Sequence, residues 1–283
     1  MIMWPEAVDL IEAGGPPPKF KTKKIAIHKS FVVITGPSGV GKTHLWSALT
    51  GRGATTGPSS AIEHGYMAMT SERSRQFLGL HRHLAMNNVP GRNSSQRFEA
   101  LDLLFHSQTP VHGVVFVASG GYDHIWPENA DIVADKLRNN DQGWKYDIAG
   151  LRARNLDQEQ ESFREICIGI QQKITISRDA TARPRWLLVL VNKADLYWGG
   201  RGEIEARYLP GSGSEFDNHR ADLIATVGNN TVQYLVSPLV TRPSEYRFQP
   251  SSPAISAPSH LTDGQRDAAL SCLAQNLEEL SYG

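Results

Sequence analysis

Gly36-Pro37-Ser38-Gly39-Val40-Gly41-Lys42-Thr43 is the stretch on which the reading of this chain turns. It fits the pattern G-x-x-x-x-G-K-[ST] without a mismatch, and its surroundings fit as well. The apolar run Phe31-Val32-Val33-Ile34 before it reads as a buried strand, and His44 to Leu49 after it as a helix. Glycines let the backbone fold around a phosphate with its N–H groups turned inward, and the following helix adds its positive N-terminal end. A lysine at position 42 neutralises β- and γ-phosphates, and the hydroxyl of Thr43 is a ligand for Mg²⁺. Gly36, Pro37, Ser38, Gly39, Val40, Gly41, Lys42, Thr43 and His44 therefore form the candidate phosphate-binding set.

Working outward, the look of the first strand repeats. Leu84–Met86, Val114–Ala118, Trp186–Val191 and Val232–Val236 are short, rich in β-branched residues, and followed by polar or glycine-containing sequence. Strands buried on both faces and alternating with helical segments indicate an α/β sandwich with a mostly parallel sheet. Helices are expected over residues 2–11, 96–105, 129–138, 157–174, 217–226 and 263–280, the last with Thr262 as its N-cap. Residues 1–29 read as an extension with a Gly/Pro linker, and 30–242 as the main domain. Residues 121–155 are too long for a single connection and are expected to be an inserted subdomain or lid. Residues 243–283 read as a Ser/Pro-rich linker and a final helix.

A second motif, Asn192-Lys193-Ala194-Asp195, stands at the carboxyl end of the strand Trp186–Val191. A carboxylate there accepts both guanine N1–H and N2–H₂, a donor pair that adenine does not offer. Lys193 can lie over the base, and Asn192 can tie this loop to the phosphate loop. Together the two motifs resemble those of the TRAFAC-type P-loop GTPases, and in particular a Ras/Arf-like bacterial small GTPase domain with degenerate switch motifs. The resemblance covers roughly residues 30 to 240. It implies a P-loop NTPase three-layer sandwich, a Ras-like G domain with a mixed, mainly parallel six-stranded sheet, and GTP/GDP with Mg²⁺ as cofactors.

Ser237-Pro238-Leu239 resembles the last base-contacting motif of that family, with one departure. The family's middle residue offers its N–H to the 6-oxo group of guanine, and Pro238 has none. That contact must come from Leu239 or be lost.

The switch regions follow the family more loosely. Thr56 is taken as the Mg²⁺ ligand and γ-phosphate sensor, with Thr55 and Thr70 as alternatives. Asn88 stands where the family has an aspartate, so the outer shell of the metal would lack a charge. Gly91 matches the glycine whose N–H meets the γ-phosphate. Arg92 follows it where a water-positioning glutamine is usual, and Gln96-Arg97-Phe98 resembles the Gln-x-Arg-Phe segment of Arf-like and bacterial Ras-like GTPases. The resemblance thus places Lys42, Thr43, Thr56 and Gly91 at the reacting phosphate and implies slow intrinsic hydrolysis completed by a protein partner. The partner is expected at the switch regions and at residues 121–155.

Asn88, Pro238 and the missing glutamine motivate an alternative, a pseudo-GTPase scaffold that binds nucleotide without turnover in a larger complex. A P-loop ATPase subunit is a third reading, which Asp195 argues against. The remaining signals are bland. Net charge is zero, so nucleic acid is not indicated. The two cysteines make neither a disulfide framework nor a zinc pattern. No apolar run is long enough to span a membrane, and the N-terminus lacks a signal-peptide pattern, so a cytoplasmic location is expected. His81 and His83 alternate on one strand face, but no third ligand accompanies them.

Overall fold

A computed structural model describes residues 1–16, 28–50, 63–69, 82–89, 95–125, 127–139, 145–242, 245–248 and 255–282. Thr55, Thr56, Thr70, Gly91, Arg92, His81, Trp126 and Trp144 lie outside the described residues, as does the side chain of Gln96.

The main sheet is built from β1 (His28–Thr35), β2 (Glu63–Met69), β3 (Arg82–Asn88), β4 (Gly113–Ala118), β5 (Trp186–Val191) and β6 (Gln233–Pro238) in the order β2-β3-β1-β4-β5-β6. β1, β3, β4, β5 and β6 run parallel, and β2 pairs antiparallel with β3 at one edge. This is the α/β class with a mainly parallel sheet that the apolar runs lead one to expect. The runs Val114–Ala118 and Trp186–Val191 are apolar at every position because both faces of β4 and β5 are covered.

Successive side chains divide between the two faces. Val32, Ile34, Val115, Val117, Leu188, Leu190 and Leu235 pack with Leu45, Trp46 and Leu49 of α2 (Lys42–Thr50) on one side. Val33, Val114, Phe116, Leu187, Val189 and Val236 face the other core. That core is closed by α3 (Ser95–Phe105), α4 (Pro127–Asn139), α5 (Ile148–Ile176), α7 (Arg201–Tyr208) and α8 (Glu215–Val227). A single turn, α6 (Ala194–Tyr197), leads from β5 toward α7.

Three sequence-level divisions differ from what the fold does. The terminal segments are part of the same core. Helix α1 (Trp4–Ala13) buries Trp4, Val8 and Ile11 there. The final helix, α9 (Asp263–Tyr282), lays Leu270, Leu273, Leu277 and Leu280 against the α2 side of the sheet. Thr262 begins α9 as expected, its N–H donating to Gln265 Oε1 at 2.9 Å and its hydroxyl accepting from Gln265 N–H at 3.4 Å.

The stretch 243–260, expected to be a linker, holds the antiparallel pair β7 (Tyr246–Phe248) and β8 (Ile255–Ala257). Strands of three residues are too short to show a period, so nothing in their pattern separates them from loop. The segment 121–155, expected to be an inserted subdomain or lid, sends Tyr122, Ala130, Val133, Ala134, Leu137 and Leu151 into the main core. Trp198 is likewise buried there.

Candidate functional site

β1 has β3 on one side and β4 on the other, so the chain turns both ways from its carboxyl end. In open parallel sheets a crevice forms at such a reversal of strand order. The loop Gly36–Gly41 leaves β1 at this point and enters α2 at Lys42.

Its glycines are demanded by neighbours as well as by conformation. Gly36, Gly39 and Gly41 have φ of +140°, +84° and +97°, values that favour glycine. A Cβ at Gly36 would stand 2.1 Å from the Val117 oxygen, and one at Gly39 would stand 2.3 Å from the His124 oxygen. At Gly41 it would meet Asn192 Nδ2 at 2.4 Å. The loop is therefore wedged between β4, the segment after β4 and the loop after β5.

Lys42 is buried and turned back along its own loop, donating to Gly36 O at 2.9 Å and to Pro37 O at 2.6 Å. Val40 is fully buried, Ser38 is half-buried, and Thr43 is half-buried in the first turn of α2. His44 has its pKa lowered by partial burial first, and then by the charges of Arg242 and Lys193. Two further cations thus stand near the start of this helix.

The second motif meets the first through Asn192. Its Nδ2 donates to Val40 O at 2.7 Å and to Thr241 Oγ1 at 3.3 Å, while its Oδ1 accepts Thr241 N–H at 3.1 Å. Lys193 follows in the left-handed region, at φ 58° and ψ 35°. Its ammonium donates to the Tyr122 carbonyl and lies 5.6 Å from the centre of the Tyr246 ring. Burial lowers the Lys193 pKa to about 8, against the pull of Asp123, Glu159 and Asp195 in the other direction. The Asp195 side chain is buried, and its carbonyl accepts His260 N–H at 2.8 Å.

Ser237 is fully buried. The Leu239 N–H, the expected substitute for the donor that Pro238 lacks, is spent on Val191 O at 2.9 Å. Ala194 N–H in turn donates to Leu239 O at 3.0 Å. The two residues expected to read a 6-oxo group therefore have no N–H to offer it.

Two sets of residues stand at the site without a role assigned from the sequence, where Arg97 figures only as part of Gln96-Arg97-Phe98. The first is a buried acid–hydroxyl group behind Lys193. Glu159 of α5 accepts the N–H groups of Ser119 and Gly121 at 2.9 and 3.0 Å, the Ser119 hydroxyl at 3.0 Å, and the Tyr208 hydroxyl. Ser119 Oγ is also hydrogen-bonded to Asp123, whose carboxyl is held well above its ordinary value by burial first and then by Glu159. The second is Arg97, fully buried on α3, which reaches Gly36 O at 3.2 Å and Glu165 at 3.3 Å. Only the burial of polar side chains in an otherwise apolar core reveals the role of either set, and burial is not readable from residue types.

Asn88, at the end of β3, is buried, and Val89 N–H donates to Ile34 O at 2.9 Å. The structure thus brings together the 36–44 loop, Asn192, Lys193, Asp195 and the 237–239 segment at one end of the sheet. Among the described residues, no group of three or more His, Cys, Asp or Glu is placed to hold a metal ion, and no helix is long and apolar enough to cross a membrane. No protein-family model matches the chain, and no curated protein matches its sequence.

Proposed function

We propose that this chain binds guanine nucleotides as a Ras/Arf-like G domain of the P-loop class, a switch with slow intrinsic GTP hydrolysis that acts through a protein partner. The observation that carries the reading is the bridge from Asn192 Nδ2 to Val40 O at 2.7 Å. It fastens a loop suited to reading a base to a loop suited to holding phosphates. Lys42 neutralises the phosphates, with its direction set by the Gly36 and Pro37 carbonyls. Asp195 accepts the two guanine donors, and Lys193 lines the base side.

The donor set also suits Mg²⁺, a hard cation that favours hydroxyl and phosphate oxygens over nitrogen and sulfur. Thr43, at the first turn of α2, and Thr56 would hold it, and Gly91 would meet the γ-phosphate. When bound with nucleotide, the ion would supply charge neutralisation at the phosphates. The partner is assigned to the segments around Thr56 and Gly91 and to the outer face of residues 121–155, where Ile132 is 58% exposed. A cytoplasmic location belongs to the same reading.

Isothermal titration with GTP, GDP and ATP in the presence of Mg²⁺ tests this. Micromolar or tighter binding of GTP and GDP is expected, and ATP binding as tightly as GTP sinks the guanine assignment.

A second reading, a nucleotide-binding scaffold without turnover, is favoured by Asn88, a buried neutral amide where a carboxylate would support the metal shell. Single-turnover assays with and without cellular partners separate the two. Release of phosphate under either condition rejects the scaffold, and none under both rejects the switch.

A further inference from the structure

Gly36 O is the meeting point of two cations. Lys42 Nζ donates to it at 2.9 Å and Arg97 Nη1 at 3.2 Å, which together match the two lone pairs of a carbonyl oxygen. The same peptide is hemmed in on its Cα side, where Gly36 lies so close to the Val117 carbonyl that a Cβ would stand 2.1 Å from it, while its oxygen is held by the two cations. Lys42 also donates to Pro37 O at 2.6 Å. Two carbonyls of known position therefore fix the direction of its ammonium.

Arg97 is an expensive way to hold one of them. Its side chain is fully buried, while its acidic partner Glu165 is 26% exposed, so the pair is only half shielded from water. Buried ion pairs of this kind add little to stability compared with apolar residues of the same volume. A side chain that gains little for the fold, and whose guanidinium ends on the phosphate loop, is better explained by what it does for that loop.

We propose that Arg97 is a positioning residue of the nucleotide site: by clamping Gly36 O it fixes the acceptor against which the Lys42 ammonium is aimed. The proposal rests on the nucleotide reading above. It also ties the loop to two helices, because Arg97 stands in the first turn of α3 and Glu165 on α5. A movement of α3 would reach Lys42 through one shared oxygen.

The test is a double-mutant cycle on affinity for GDP and GTP with Mg²⁺, using Arg97→Gln and Arg97→Lys in the wild-type and Lys42→Met backgrounds. Arg97→Gln is expected to weaken binding by about tenfold or more when Lys42 is present and to change little when it is absent. Arg97→Lys is expected to recover part of the loss. A general structural role predicts equal losses in both backgrounds, and that result, or no loss at all, overturns the proposal.

If Arg97→Gln does not fold, a structure of the wild type with GDP and Mg²⁺ decides. Arg97 Nη1 remaining within hydrogen-bond distance of Gly36 O supports the role, and its departure overturns it. A wild type that binds neither nucleotide overturns the underlying reading as well, whereas normal binding by the Arg97 variants removes only the role of Arg97.

Discussion

The Asn192 side-chain amide donates to the Val40 carbonyl at 2.7 Å, so the loop after β5 is fastened directly to the phosphate loop. The same side chain accepts from Thr241 N–H at 3.1 Å, which draws in the segment after β6. Removing it would leave a buried carbonyl and an N–H without their partner. Asn192→Ala is therefore expected to cost about 1–3 kcal/mol of stability, and to weaken GDP and GTP binding beyond any loss of folded protein. Denaturant melts and calorimetric titration of the same preparation check this. Unchanged affinity in a destabilised variant would reduce the bridge to a purely structural bond.

Guanine selectivity should depend almost wholly on Asp195, because Leu239 N–H is committed to Val191 O and Pro238 has no N–H. Inosine triphosphate lacks only the 2-amino group. A lost hydrogen bond to a charged acceptor corresponds to a weakening of about tenfold to a hundredfold relative to GTP. Pro238→Ala restores an N–H at the end of β6, and is expected to raise guanine affinity by up to about tenfold. Asp195→Asn should shift preference toward xanthine, whose 2-oxo group accepts the new amide donor. Competition titrations with GTP, ITP and XTP measure all three effects.

Much of this architecture is visible in residue order. The runs ending at Ile34, Ala118, Val191 and Val236 fall on β1, β4, β5 and β6, and glycine spacing alone locates the turn into α2. The first turns of α5 are a different case. The helix runs Ile148–Ile176, starting nine residues before the apolar pattern suggests a helix at Asp157. Its buried face there carries Gly150, Leu151, Asn155 and Glu159, so a single apolar residue stands among polar and small ones and the helical period escapes a hydrophobic reading. Asp147, whose side chain accepts Gly150 N–H at 2.7 Å, is the capping signal that marks the true start. The buried positions of Arg97 and Glu159 elude the sequence for a related reason, since charged residue types are ordinarily read as surface.

Gly39 offers a sharper test of the phosphate loop than the loop's charged residue. Its φ is +84°, and an added Cβ would stand 2.3 Å from the His124 oxygen and 2.5 Å from the His124 nitrogen. Both are backbone atoms, held in part by the bond from His124 N–H to Gly39 O at 3.0 Å. Neither can give way as a flexible side chain would. Gly39→Ala is expected to destabilise by about 2 kcal/mol or more, the scale of strain at a disallowed backbone angle plus a displaced contact. Gly211→Ala is the control: its φ is +82° but nothing lies within 4 Å of an added Cβ. Its cost isolates the conformational part, and an equal cost at both positions would show that the His124 contact contributes nothing.

The pH dependence of stability should carry the signature of Asp123. Burial is the main cause that holds its carboxyl well above the ordinary 3.8, and the neighbouring Glu159 adds to it, while Ser119 and Lys193 act the other way. The folded protein thus keeps a proton that the unfolded chain releases above about pH 4. Its stability falls as pH rises from there through the raised pKa. Lys193 acts at higher pH and in the opposite sense: lowered to about 8 from 10.5, it makes the folded protein shed a proton that the unfolded chain retains. Stability therefore rises between those two values, so a window from about pH 4 to about pH 7 leaves Lys193 aside; His44 and His112, whose pKa values are lowered, also act within it, and only the comparison of wild type with a variant at position 123 isolates Asp123. Asp123→Asn keeps the shape of the side chain and cannot ionise. Its stability relative to the wild type is expected to increase with pH across that window, by up to about 1.4 kcal/mol per unit. Urea denaturation of both proteins along the same pH series decides. Parallel curves would mean that Asp123 does not keep its proton in the folded protein across this window.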